Sequence, residues 1–172
     1  MKYFLVIILS CLSWSTLANQ SFYKLGVGDQ IRIQVYDEPE LSLETRVSDS
    51  GTIDYPFLGR IKLKGKTTEE VKAAIHDGLL DGYLINPNVF VSVVMYRPYF
   101  INGQVKASGS YPYYPGLTVN KAITIAGGFT ERASKTKIYI SSSDEPSAQP
   151  VKVNLLDKIQ PGDIITVEES FF

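Results

Sequence analysis

The stretch Leu25-Gly26-Val27-Gly28-Asp29-Gln30-Ile31-Arg32-Ile33-Gln34-Val35 carries the signals from which the rest of the chain is read. Leu25 to Asp29 is a turn, because glycine reaches backbone conformations that other residues resist. Beyond it Ile31, Ile33 and Val35 alternate with Arg32 and Gln34, the period of a strand with one buried face. Turn and short strand then repeat. Pro39 and Glu40 end the first strand, and Val47 leads into the hairpin-like turn Ser48-Asp49-Ser50-Gly51. Ile53, Tyr55 and Phe57 alternate after it, Gly59 turns the chain again, and Ile61 and Leu63 form another short strand.

Thr67 opens a helix, since its hydroxyl can cap free amides while Glu70 closes a capping box. Val71, Ala74, Ile75, Gly78 and Leu79 fall on one side, Lys72, His76 and Asp77 look outward, and Gly82 ends it. Asn86-Pro87-Asn88 is a turn, and Val89, Val91 and Val93 alternate with Phe90 and Ser92 as a strand. A second unit begins near Arg97-Pro98. Tyr99, Ile101 and Gly103-Gln104-Val105 make a strand, followed by the loop Lys106 to Ser110 and the tyrosines Tyr111, Tyr113 and Tyr114. Thr118 caps a short helix from Val119 to Ala126, which Gly127-Gly128 stops. Ile138 to Ile140, Val151 with Val153, and Ile164 to Val167 complete the strands. The rhythm predicts an α+β chain of two small units, each marginal alone and therefore packed together or held by an oligomer. Gly28-Asp29-Gln30-Ile31 and Gly162-Asp163-Ile164-Ile165 echo one another, too briefly to establish a duplication.

The length of 172 residues suits one domain or two small ones, and 44% hydrophobic with 20% charged residues argues against disorder. A net charge of −1 offers no support for nucleic-acid binding. Met1-Lys2, the apolar run from Tyr3 to Leu17, and Thr16 with Ala18 form the pattern of a secretory signal peptide cut after Ala18. Two other readings stand beside it: a loose lipobox, Ile8-Leu9-Ser10-Cys11, which would lipidate Cys11, and a buried N-terminal strand. Cleavage after Ala18 would remove the one cysteine.

Residues for catalysis or metal binding are sparse. The single histidine, His76, sits on the outer side of the helix with no cysteine near it, so the expectation is no metal and no cofactor. No Gly-x-Ser-x-Gly elbow, dinucleotide fingerprint or phosphate loop occurs. Asp29, Asp37, Glu38, Asp49 and Asp54 could offer a carboxylate pair for glycoside hydrolysis, yet each sits beside a turn signal where acids serve the backbone. Lys106 and the tyrosines Tyr111, Tyr113 and Tyr114 are candidates for contact with a polymer or a subunit; packing of the tyrosines in a core is the competing reading. With export and a balanced charge, sugar is favoured over nucleic acid.

These residues resemble a known family. Tyr23-x-Leu25-Gly26-x-Gly28-Asp29-x-Ile31-x-Ile33 is similar to the opening signature of the periplasmic and outer-membrane polysaccharide export proteins of capsule and colanic-acid translocons. The likeness continues through Pro39-Glu40-Leu41-Ser42, Val47-Ser48-x-x-Gly51-x-Ile53, Pro56-Phe57-Leu58-Gly59, Gly65-x-Thr67-x-x-Glu70 and Asn86-Pro87-x-Val89-x-Val91. The second unit resembles the soluble-ligand-binding β-grasp domain, through Gly103-Gln104-Val105, Gly109-Ser110-Tyr111, Thr118-Val119-x-x-Ala122-Ile123, Ala126-Gly127-Gly128-Phe129 and Gly162-Asp163-Ile164-Ile165. The family's usual prolines are replaced by Val27 and Ser108.

The resemblance implies a signal peptide (1–18), a mixed-sheet export domain with one main helix (19–97) and a β-grasp domain (98–172). It implies a non-enzymatic periplasmic subunit, associated with the outer membrane, that forms a homo-oligomeric ring and guides exported polysaccharide. An inner-membrane co-polymerase would be its partner. The chain stops at Phe172 without the family's pore helix, so a separate outer-membrane channel protein is expected. A soluble carbohydrate-binding or regulatory module is the alternative. Gly26, Gly28, Asp29, Gly51, Gly59, Gly103, Gly109, Gly127, Gly128, Gly162 and Asp163 are expected to shape turns and not to catalyse.

Overall fold

Alternation in the first strand becomes the centre of a three-stranded antiparallel sheet. A computed structural model describes residues 23–142 and 147–170; the expected signal peptide, with Cys11, lies outside the described residues. Strand β1 (Gln30–Val35) is flanked by β2 (Leu43–Arg46) and β5 (Val89–Met95). Ile31, Ile33 and Val35 point into the core while Arg32 pairs outward with Glu44 at 2.7 Å. A 3-10 turn, Pro39–Leu41, links β1 to β2. Strands β3 (Thr52–Tyr55) and β4 (Gly59–Lys62) form a separate hairpin, and helix α1 (Thr68–Leu80) packs against β5.

The capping box forms as expected: the Glu70 amide donates to the Thr67 hydroxyl at 3.2 Å, and the Thr67 amide donates to the Glu70 carboxylate at 2.7 Å. Helix α1 then buries Val71, Ile75 and Leu79 in the first core. The buried Tyr55 hydroxyl donates to the Leu41 carbonyl at 2.7 Å, tying the hairpin to the 3-10 turn.

In the second unit β6 (Tyr99–Gly103), β7 (Gly109–Tyr111), β8 (Ala133–Ser142), β9 (Val151–Val153) and β10 (Asp163–Glu169) form one sheet in the order β7-β6-β10-β8-β9. Helix α2 (Val119–Ile125) covers one face with Val119, Ala122 and Ile123. First and last strands lie parallel at the centre, with hairpin partners outside them, which is the β-grasp arrangement. Gly103 is required there. Its φ is +83°, and a Cβ would sit 2.1 Å from the Val167 carbonyl oxygen.

The α+β class holds, with three refinements. Mixed pairing, expected in the first unit, occurs in the second, because a parallel pair needs a long crossover and the chain between β6 and β10 supplies it. Phe57 does not continue the strand of Ile53 and Tyr55. Tyr55 pairs with Gly59, so Phe57 falls at the hairpin tip, 64% exposed and with φ +63°, while Leu58 turns back toward the core. The expected loop from Lys106 to Ser110 ends in β7, and β8 begins at Ala133, well before Ile138.

Candidate functional site at the junction of the two units

The echo between the two Gly-Asp segments is a repeated piece of geometry. In each, the aspartate amide donates to the carbonyl three residues back, Asp29 to Gly26 at 3.3 Å and Asp163 to Gln160 at 3.2 Å. Each has a left-handed glycine at the third position, Gly28 at φ +91° and Gly162 at φ +84°, the type II requirement. Each aspartate then accepts from the amide three residues back, Gly26 at 2.8 Å and Gln160 at 2.6 Å. The turns lead into β1 and β10, one in each unit.

Between them runs the connector Arg97-Pro98. The Arg97 amide donates to Asp29 Oδ1 at 2.8 Å, and the Gly162 amide donates to the Pro98 carbonyl at 3.1 Å. The two similar turns therefore hold the connector from both sides.

The Arg97 side chain folds back over Gly26. Its Nη1 reaches Asp29 Oδ2 at 3.2 Å and the Tyr23 hydroxyl at 2.9 Å, and that hydroxyl donates to Asp29 Oδ2 at 2.5 Å. A Cβ on Gly26 would lie 1.9 Å from Nη1, so the guanidinium takes the space a side chain would fill. Asp29 is wholly buried and the Arg97 side chain 11% exposed. Charges this buried are tolerated only when paired and hydrogen-bonded. Burial, reinforced by the Asp29 hydrogen bond, pushes the Tyr23 hydroxyl far above its ordinary range.

An aromatic chain crosses the junction. Tyr96 meets Tyr23 edge-on at 5.0 Å between centroids and Tyr113 of the second unit at 5.4 Å. Burial raises the Tyr96 and Tyr113 hydroxyls as well. Beside this lock lies an open groove of about 500 Å³, with Lys24 and Lys64 from the first unit and Ser142, Gln160 and Pro161 from the second. A similar opening of about 480 Å³ lies near Tyr36, Asp37 and Phe90.

The other residues singled out in the sequence lie apart from the junction. Gly51 and Gly59 turn the β3–β4 region, Gly109 starts β7, and Gly127 and Gly128 end α2 with positive φ. Tyr111 stacks on Tyr99 at 5.8 Å and donates to the Ala107 carbonyl at 2.7 Å, and Tyr113 packs on Tyr96. Tyr114 is 61% exposed and borders a shallow opening with Lys121 and Ile125; Lys106 is exposed. The structure thus does not gather Lys106 and the three tyrosines into one site. Sequence reasoning missed Tyr23, Tyr96 and Arg97 as a group, since only folding brings them together.

Among the described residues no group of three or more His, Cys, Asp or Glu side chains could hold a metal ion. Asp54 pairs with Arg60 at 3.6 Å, and the half-buried His76 contacts Asp77 at 3.0 Å. No helix among the described residues is long and apolar enough to cross a membrane.

Fold and junction define a bipartite α+β protein in which a small antiparallel unit meets a β-grasp unit at a connector held by a buried ion pair. The family "Polysaccharide biosynthesis/export protein" matches residues 17–94, and the SLBB domain matches residues 98–151. The chain is 34% identical to the exopolysaccharide production protein ExoF of Rhizobium meliloti, over 80% of its own length and 36% of that relative. It is 29% identical to the EPS I polysaccharide export outer membrane protein EpsA of Ralstonia nicotianae, covering 89% of this chain and 49% of the relative. Identity to the polysialic acid transport protein KpsD of Escherichia coli is 25%, over 87% of this chain and 27% of that protein. The chain belongs to the polysaccharide export protein family. It spans between about a quarter and a half of the length of these curated relatives.

Proposed function

We propose that this chain is a non-enzymatic periplasmic subunit of an exopolysaccharide or capsule export translocon, guiding polymer toward the outer membrane. The observation that carries the reading is the ordered pair of matches, export family then SLBB domain, on two units clamped together at Arg97-Pro98. In this reading residues 19–97 are the export domain and 98–172 the β-grasp domain. The subunit assembles as a homo-oligomeric ring and works with an inner-membrane co-polymerase and an outer-membrane channel. In this reading the exported chain has been cleaved after Ala18, and intact-mass measurement checks that: a start at Asn19 without lipid mass supports it, and a lipid on Cys11 overturns it.

Gene deletion tests the function. Loss of extracellular polysaccharide, restored by the wild-type gene, supports it; unchanged export in a strain without a redundant homologue overturns it. Light scattering tests the assembly. A stable ring supports a translocon subunit, whereas a monomer that binds glycan favours a soluble carbohydrate-binding module.

A further inference from the structure

We infer that the groove between the two units binds a polysaccharide that carries carboxylates, an assignment that rests on the export reading above. The groove, at about 500 Å³, falls within the roughly 300–1,000 Å³ of small-ligand clefts. It is open to solvent, and both units contribute to it. Its charges are unevenly committed. Arg97 pairs with Asp29, and Asp163, a residue only 7% exposed, accepts from the Gln160 amide.

Lys24 and Lys64 also line the groove, are exposed, and enter none of the ion pairs among the described residues. Lys24 also has a carboxylate neighbour: the Glu70 carboxyl is held below its usual range first by its Thr67 hydrogen bonds, then by Lys24 and Lys66. A chain of net charge −1 thus places two exposed lysines at one mouth. Charge of one sign in a concave site raises the local concentration of oppositely charged ligand.

The rest of the lining supplies what a sugar needs besides charge. Gln160 and Ser142 carry amide and hydroxyl groups, while Tyr23 and Pro161 give apolar surface. A neutral glycan would use these groups without engaging the lysines, and a small anion would do the reverse. A uronic-acid type chain meets both.

The test titrates the purified chain starting at Asn19 with trigalacturonate, maltotriose and sodium acetate, followed by backbone NMR shifts and calorimetry. Trigalacturonate is expected to shift the amides of Lys24, Gly65 and Gln160, with affinity falling as salt screens the charges. The pair Lys24→Gln/Lys64→Gln is expected to weaken binding roughly tenfold or more, and Lys24→Arg/Lys64→Arg to retain it. Both positions are exposed, and an unchanged circular dichroism spectrum verifies folding of each variant. Equal binding of maltotriose, equal binding of acetate at matched carboxylate concentration, shifts confined elsewhere, or full affinity in the glutamine pair overturns the assignment. In cells, a deletion strain that loses polymer but is fully restored by the glutamine pair sinks the groove and leaves export standing. A deletion without effect on polymer sinks the export reading, and the assignment of an export substrate with it.

Discussion

Replacing Asp29 by alanine should be among the most damaging single changes in this chain. The carboxylate is wholly buried and accepts from the Gly26 amide, the Arg97 amide, Arg97 Nη1 and the Tyr23 hydroxyl. Its removal leaves the Arg97 guanidinium in a site with 11% side-chain exposure, without its buried counter-charge. Breaking one side of a buried pair costs about 3–5 kcal/mol, and an orphaned buried amide about 1–3 kcal/mol. These penalties overlap, because Arg97 can swing toward the adjacent groove and recover water. A net loss of about 3–5 kcal/mol remains, a large share of the roughly 5–15 kcal/mol that holds a typical domain together. At roughly 2–4 °C per kcal/mol for a chain of this size, the melting temperature should fall by about 10 °C.

Urea denaturation followed by circular dichroism measures the loss; the chain from Asn19 holds no tryptophan, so tyrosine fluorescence serves as the second probe. Arg97→Met and the double variant complete a thermodynamic cycle, with a coupling of about 1–3 kcal/mol expected. A loss below about 1 kcal/mol for Asp29→Ala, or a coupling near zero, would falsify the claim that this ion pair holds the connector in place.

Other expectations test neighbouring parts of the same reasoning. Gly26→Ala places a methyl where Arg97 Nη1 lies, and should cost about 1–3 kcal/mol in a chemical melt. Val27→Pro should stabilise by about 0.4–1 kcal/mol, since Val27 holds the turn position that Pro161 occupies in the second unit; a lowered melting temperature would contradict the shared turn geometry. Burial pushes the Tyr55 and Tyr99 hydroxyls up to about 12 from an ordinary 10. The folded state therefore favours their neutral forms, so their contribution is complete below pH 10 and drains away as pH rises toward 12. Alkaline denaturation with absorbance near 295 nm checks this, and Tyr55→Phe should flatten the fall. Thr67→Ala removes the α1 cap and should cost about 1 kcal/mol by thermal melt. Because the Glu70 carboxyl is held low, its share of the cap is present at neutral pH and is lost as acid protonates it.

Much of the local structure was legible because it depends on neighbours in sequence. Alternation in β1 and β5, the capping box of α1, and the Gly127-Gly128 stop after α2 each need only a few consecutive residues. Phe57 shows the limit of periodicity. It continues the alternation of Ile53 and Tyr55, yet the hairpin closes between Tyr55 and Gly59 and carries it to the tip. Tyr111 and Tyr113 look like a contact motif beside Tyr114 in the sequence, and their neighbours in space, Tyr99 and Tyr96, are what mark them as packing residues.

By itself, the sequence determined the order of turns and strands, the α+β class and the family resemblance, because these reside in short-range pattern and composition. It also displayed the two Gly-Asp turns without their purpose. Tertiary structure alone decided that the two turns close on the same connector, that Asp29 meets Arg97 across 68 positions of chain, and that Lys24 and Lys64 share a groove with Gln160. The physical reason is that a buried charge is stable only where folding delivers its partner and excludes water, and no local pattern encodes that meeting.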